Sequence, residues 1–273
     1  MEPLQLLYQV AGEPAWPLPS ELSSRYGGEL GFRPPVLFGN FVSSLDGVVN
    51  MPGERSVGRT LSGNSPADRF VMGLLRACAD AVLLGAGTLR ASPRSTWTAQ
   101  EACPELAAAF TALRTRLALP PRPRLVVLTG AGDLDPDHPG LAGSPLVVTG
   151  ERGAGRLPSA LAPHALVLAH GSDPVDPVQL WAAIRGEGLR TVLSEAGPEV
   201  TGQLLAGKVL DELFLTLSPL IAGRPEDEPR PGLAEGVRLL PGDAATGHLA
   251  SVRRYGDHLF VRYRLHSTSA VGP

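Results

Sequence analysis

Residues 192–205, VLSEAGPEVTGQLL, set Glu195, Gly197 and Pro198 between a short apolar run and a stretch whose apolar residues recur at helical spacing. Gly197 lets the backbone pass close to another group or take a positive φ. Pro198 suits the first turn of a helix, where its missing N–H costs nothing. The amides that follow then stand at the positive end of the helix dipole, a ready site for a phosphate. In an open α/β sheet, ligands lie beyond the carboxyl ends of the strands, where this junction falls. A capped strand-to-helix turn holding no ligand fits the same residues.

Other residues carry the same two readings. Asp46-Gly47 in SSLDGVV is a turn pair, with Asp46 bonding local amides. Gly85 and Gly87, in the GAGT that ends the run AVLLG, mark a tight turn or a close approach to a ligand. Arg76 sits about 100° and 200° around its helix from Leu75 and Leu74, off their apolar stripe. From there it reaches over a cleft or pairs with a surface carboxylate. Glu195, at the end of its strand, faces the cleft or bonds a neighbouring loop.

The elements that must position these residues follow from periodicity. VLFGNFV (36–42) is the first strand. Ser65 caps a helix with Pro66 at its first position and Asp68 at its third, and Phe70, Val71, Leu74, Leu75 and Cys78 line its inner face. Strands follow at 81–85, 124–129, 145–149, 165–169 and 190–194, with a helix at about 104–118 and another capped by Asp176-Pro177. Near-continuous apolar strands alternating with helices predict an α/β fold whose mostly parallel sheet is covered by helices on both faces. DELFLTLSPLIAG (211–223) reads as a long strand, and 248–266 as an antiparallel hairpin turning at Gly256-Asp257. In its second strand Leu259, Val261, Tyr263 and Leu265 alternate with polar residues. Residues 1–33 form an arm around a domain spanning 34–266, and 267–273 a disordered tail.

The 273 residues allow one large domain or two small ones. A net charge of -3 gives no electrostatic case for nucleic acid or an anionic membrane. Two cysteines, Cys78 and Cys103, make neither a zinc site nor a disulfide framework by themselves, so no metal is expected. The start lacks the basic segment of a signal peptide and no run is long enough for a membrane helix, so a cytoplasmic location is the default.

Three segments, NFVSSLDGVV (40–49), LLRACADAVLLGAGTLRAS (74–92) and VLSEAGPEVTGQLLAGKVLDELFLTLSPLIAG (192–223), occur together in an order and spacing that resembles a known family. The chain is similar, from about 36 to 265, to the reductase domain of bacterial riboflavin biosynthesis, within the dihydrofolate-reductase-like superfamily. That resemblance implies NADPH-dependent reduction of a ribosylamino-pyrimidine phosphate to its ribitylamino form. It implies cofactor contacts at Val42, at Gly85, Ala86, Gly87 and Thr88, and at Gly197, Pro198, Glu199, Val200, Thr201 and Gly202. It implies substrate contacts at Thr60, Arg76 and Glu195, with Arg76 on a phosphate, and a homodimer. Arg152 and Arg156 are the candidates for a cofactor 2′-phosphate. No catalytic residue is assigned.

Two departures stand out. Ser92 takes the place of the first acid of the family's D-D-P segment, and Glu199 stands where a threonine or serine is common, so Glu199 should point outward. No paired-cysteine deaminase motif is present, which reads as a stand-alone reductase-like chain. Reduction of a dihydropterin or another pyrimidine, and NADPH binding without turnover, are the alternatives.

Overall fold

Short apolar runs become strands, and longer segments with apolar residues three and four apart become helices, in a computed structural model that describes residues 1–54, 56–168 and 175–266. The strands are β1 (Gln5–Gln9), β2 (Val36–Ser43), β3 (Ala81–Gly85), β4 (Arg124–Thr129), β5 (Leu146–Thr149), β6 (Ala165–Val167), β7 (Thr191–Ser194), β8 (Glu212–Leu217), β9 (Thr246–Tyr255) and β10 (His258–His266). The helices are α1 (Ser20–Tyr26), α2 (Val57–Leu61), α3 (Pro66–Cys78), α4 (Ala86–Ala91), α5 (Ala99–Ala102), α6 (Ala107–Arg116), α7 (Glu151–Ala154), α8 (Pro177–Gly186) and α9 (Pro198–Ala206).

Among the described residues the strands form one sheet in the order β1-β9-β10-β8-β2-β7-β3-β4-β5-β6. From β8 to β6 every neighbour is parallel, and β10, β9 and β1 add antiparallel strands. All the parallel strands therefore present their carboxyl ends along one rim. Phe38, Leu84, Val127, Leu193 and Phe214 bury one face under α3, whose Phe70 and Leu74 are fully covered. Leu37, Leu83, Val126 and Val192 bury the other under Leu180 and Ile184 of α8 and Leu204 of α9.

The caps act as the sequence indicates. Ser65 Oγ accepts from the Asp68 amide at 3.4 Å, and Asp176 Oδ1 accepts from Val178 and Gln179 at 2.8 and 2.9 Å. Gly256 turns the hairpin at φ 56°, where a side chain would be strained.

The arm is more than a wrapping. β1 pairs with β9 as the outermost strand, and two buried arginines of the hairpin fasten the segment to it. Arg253 Nε donates to the Tyr26 carbonyl at 2.8 Å and Nη2 to Gln9 Oε1 at 2.8 Å, with its guanidinium 3.9 Å from the Tyr26 ring centroid. Arg262 Nε donates to Glu212 Oε2 at 2.7 Å and Nη2 to the Gly31 carbonyl at 2.8 Å. Glu13 lies 3.7 Å from Arg262 and also pairs with Arg264. The arm thus covers the hairpin face that carries Phe260 and Arg262, and the alternating Leu259 and Tyr263 stay half-buried on the opposite one.

Three expected elements are shorter or divided. The strand expected over 211–223 ends at Leu217. Beyond Pro219 the amides of Ala222 and Gly223 donate to the Asp46 carboxylate at 2.9 and 2.8 Å, so they bond a loop and not a strand. The helix expected at 104–118 is α6, preceded by a separate turn at Pro104–Leu106 and by α5. The strand expected over 165–169 ends at Val167, and Ala169 and the tail 267–273 lie outside the described residues. Among the described residues no helix is long and apolar enough to cross a membrane, and no group of three or more His, Cys, Asp or Glu could hold a metal.

Candidate functional site

Two strand-to-helix junctions meet on the rim. β3 runs straight into α4, with Gly85 as its N-cap, and β7 runs through Glu195-Ala196 into α9, with Gly197 as its N-cap. The Glu195 amide donates to the Leu83 carbonyl at 3.0 Å, which locks the two junctions side by side. GAGT is therefore not a loop, as its glycines suggest, but the end of β3 and the first turn of α4. Buried Leu89 anchors that turn and overrides the low helix propensity of glycine.

The glycines face the opposite junction. A Cβ on Gly85 would stand 3.2 Å from Val200 Cγ2, and one on Gly197 would stand 3.7 Å from Thr88 Oγ1. Gly197 has φ -68° and ψ 172°, extended backbone open to any residue. Its role is thus to leave space and not to supply a positive φ. Neither N-cap carries a side-chain capping bond, and Pro198 has no N–H, so the amides of Glu199 and Val200 have no partner inside α9. Ser194 Oγ, buried one residue before Glu195, has no hydrogen-bond partner among the described residues.

The other expected contacts of α9 separate into those that face this space and those that do not. Glu199 is exposed, pointing away from the buried side of α9. Thr201 Oγ1 donates to the Gly197 carbonyl at 3.2 Å, which turns the hydroxyl back on its own helix. Gly202 packs against 232–237, where a Cβ would come within 2.3 Å of the Glu235 carbonyl oxygen. Its smallness serves helix-to-loop packing.

Arg76 does not reach over a cleft from the surface. It is buried, with Nε and Nη2 donating to Glu195 Oε1 and Oε2 at 2.8 and 2.7 Å, and Nη1 to the Thr98 carbonyl at 3.2 Å. Glu101 Oε2 lies 3.9 Å from Nη1. Burial disfavours the guanidinium charge, but the Glu195 charge and hydrogen bonds outweigh it and hold the Arg76 pKa above its usual value.

Val42 stands near the end of β2, partly exposed, and α2 lies over it, a Cβ on Gly58 falling 3.8 Å from Val42 Cγ1. Thr60, on the same helix, is exposed. Arg152 and Arg156 are exposed on α7 and the turn after it, beyond the carboxyl end of β5. Ser92 follows α4, and its carbonyl lies 3.1 Å from His138 Nε2. His138 Nδ1 accepts from the Gly140 amide at 3.0 Å, and its ring stacks on Trp97 with centroids 5.7 Å apart.

Asp68, which the sequence marks only as a helix-start residue, is pushed by burial up to about 6, above an ordinary aspartate. Its carboxyl meets the hydroxyls of Thr216 and Ser62, contacts between distant segments that no local pattern announces. Ser194 is likewise invisible in the sequence except as the last residue of its strand.

The arrangement can hold an anion between two helix amino ends, with glycines where a chain of atoms must pass close to backbone. A dinucleotide's pyrophosphate fits that description, since the first-turn amides of α9 have no partner inside the helix.

Residues 35–259 match the family model described as the RibD C-terminal domain. A pyrimidine reductase-like protein of Corynebacterium diphtheriae superposes with a TM-score of 0.65 at 22% identity, over 92% of this chain and 96% of that one. RibD of Acinetobacter baumannii gives 0.61 at 17% identity, over 90% of this chain but 60% of its own. The riboflavin biosynthesis reductase Rib7 of Saccharomyces cerevisiae gives 0.54 at 17% identity, over 90% and 96%. At these identities the likeness is one of fold. No curated protein matches the sequence.

Proposed function

Because the chain belongs to the RibD C-terminal domain family, we propose that it is an NADPH-dependent reductase converting a ribosylamino-pyrimidine phosphate to its ribitylamino form. The observation that carries the reading is the pair of helix amino ends facing each other across Gly85 and Gly197. NADPH, when bound, supplies the hydride.

The chain's own residues bind, orient and exclude water. The first-turn amides of α9 and the Thr88 hydroxyl hold the pyrophosphate, and the missing side chains at Gly85 and Gly197 let it approach. Val42 packs against the nicotinamide end, with α2 and Thr60 closing over substrate. Glu195 presents its remaining acceptor capacity to substrate from a position fixed by Arg76, which acts on Glu195 and not on a phosphate. Arg152 and Arg156 select the 2′-phosphate. Orientation of this kind lowers a barrier by restricting the reacting pair to a productive geometry.

A homodimer belongs to the same reading. β8 is internal to the sheet, between β2 and β10, so it offers no edge for pairing. Its Leu215 and Leu217, with Leu259 and Tyr263 of β10, form a half-buried apolar face, and that face is what a second copy would cover.

NADPH oxidation, screened against the ribosylamino-pyrimidine phosphate, its dephosphorylated form and dihydrofolate, tests the function. Turnover with the first is expected. NADPH bound but oxidised with none of them would mean a binding protein. One observation favours another pyrimidine or a dihydropterin as substrate. Ser92 replaces an acid, and the His138–Trp97 stack fixes its backbone.

A further inference from the structure

Residues 92–98 join α4 to α5 without a helix or strand of their own. Their two ends are tied to the two junctions on the rim. Ser92 directly follows α4, whose Thr88 faces Gly197, and the Thr98 carbonyl accepts from Arg76, which holds Glu195. Within the segment Trp97 is buried at φ 50°, a conformation that a bulky residue keeps only where its surroundings impose it. Two clamps do so. His138 Nδ1 accepts from the Gly140 amide, so Nε2 carries the proton and donates to the Ser92 carbonyl at 3.1 Å, with the ring stacked on Trp97. Gly140 makes room for the indole, since a Cβ there would stand 2.8 Å from Trp97 Cζ3. Glu101, the third residue of α5, is the second clamp. Its Oε2 accepts from the Thr96 amide at 2.8 Å and the Thr96 hydroxyl at 3.0 Å, and its Oε1 from the Ser95 hydroxyl. Burial pushes the Glu101 carboxyl up, but the bonds from Ser95 and Thr96 and the charge of Arg76, 3.9 Å away, hold it below the usual glutamate range.

Helix α5 itself does not call for this carboxylate. Thr98 caps it, Oγ1 accepting from the Glu101 amide at 3.2 Å. We propose that residues 92–98 form the wall of the substrate site beside Glu195, and that Glu101 is the positioning residue that sets this wall. Arg76 joins the two parts. Its Nε and Nη2 fix Glu195 and its Nη1 fixes the Thr98 carbonyl, so carboxylate and wall stand in one register before substrate arrives. A substrate donating N–H groups to Glu195 then meets an edge already in place. Compounds of another outline are rejected there, at no cost in ordering the loop. The inference deepens the reductase reading above and rests on it for the substrate.

The test compares the wild-type protein with Glu101→Ala and Glu101→Gln. Alanine removes every bond to the loop. Glutamine keeps them, its oxygen accepting from the Thr96 amide and its NH2 donating to Ser95 Oγ, and gives up only the charge facing Arg76. Glu101→Ala should raise the substrate KM about 10–10²-fold, with kcat and NADPH affinity little changed, and Glu101→Gln should restore it. A second readout needs no turnover. In a Trp16→Phe, Trp181→Phe background Trp97 is the single tryptophan. Acrylamide should quench it more strongly in Glu101→Ala than in Glu101→Gln or the parent. Equal quenching in all three overturns the proposal, because the loop then does not depend on Glu101. So does an exposed Trp97 with an unchanged KM, or a Glu101→Gln protein that behaves as Glu101→Ala does. These outcomes are read on a wild type that turns over substrate. A wild type that oxidises NADPH with no candidate substrate instead brings down the reductase reading, and the substrate wall with it.

Discussion

Arg76 and Glu195 lock α3 to the residue following β7 through two parallel hydrogen bonds of 2.8 and 2.7 Å. The side chains are 5% and 11% exposed, so little water shares the pair. A carboxylate at a strand's carboxyl end is thereby aimed, and the arginine that does so has no fork left for a phosphate.

Glu195→Ala leaves a buried guanidinium uncompensated and should cost about 3–5 kcal/mol in urea unfolding. A loss under about 1 kcal/mol would show that the pair does not hold the junction. Arg76→Ala should lower kcat/KM equally for a phosphorylated substrate and its dephosphorylated analogue. A loss confined to the phosphorylated one would return Arg76 to phosphate binding.

The two glycines of α9 should behave oppositely. Valine at Gly197 meets only ordinary contact at its Cβ, so the variant should fold, but its γ-carbons fill the space between the helix ends. NADPH affinity should drop at least about tenfold, roughly 1.4 kcal/mol, with an unchanged melting temperature. Alanine at Gly202 collides with the Glu235 carbonyl and should lower the melting temperature. Calorimetry and cofactor titration on both variants separate the roles, and equal cofactor affinities in both would refute them.

Asp46 ties two rim loops together. The hydrogen bond from Ser44, then that from the Ala222 amide, lowers its pKa to about 2. A depressed carboxyl pKa gives stability that is present above about pH 4 and lost as pH falls towards 2. Asp46→Asn should remove that dependence. Stability measured from pH 2 to 5 on both proteins checks it. Curves of the same slope would mean that the loops do not depend on the charge.

Deleting residues 2–12 removes β1 and the Gln9 partner of Arg253. The edge of β9 is then open to other chains. A lower melting temperature and scattering that grows with concentration are expected. A deletion as stable and as monodisperse as the full chain would make the arm ornamental.

The sequence predicts what local patterns govern. Apolar runs mark β3, β4 and β7, Ser65 and Asp176 mark the caps, and Gly256 marks the turn, because each is decided within a few residues. The mostly parallel sheet follows from their alternation with helices. Contacts across the chain are not legible in this way. Arg253 and Arg262 read as the polar side of a strand, yet the arm buries both, with partners more than 200 positions away. Arg76 leaves its helix's apolar stripe as expected, but the strand beyond brings Glu195 to it. Asp68 finds Thr216 only through the order of strands in the sheet. The strand expected over 211–223 fails for the same reason, since Asp46 claims the amides that would have extended it.

The edge position of β1 also governs the order of events at the ribosome. β1 has β9 as its neighbour in the sheet, and Thr246–Tyr255 is translated long after Gln5–Gln9. β1 can thus be placed only after β9 exists, and the ordering of so distant a pairing comes late. While it waits, Leu6, Leu7 and Tyr8, which remain 45–49% exposed even when paired, lie open on a nascent chain. Early synthesis of β1 gives this pairing no head start, and this edge of the sheet closes only once β9 and β10 have been made.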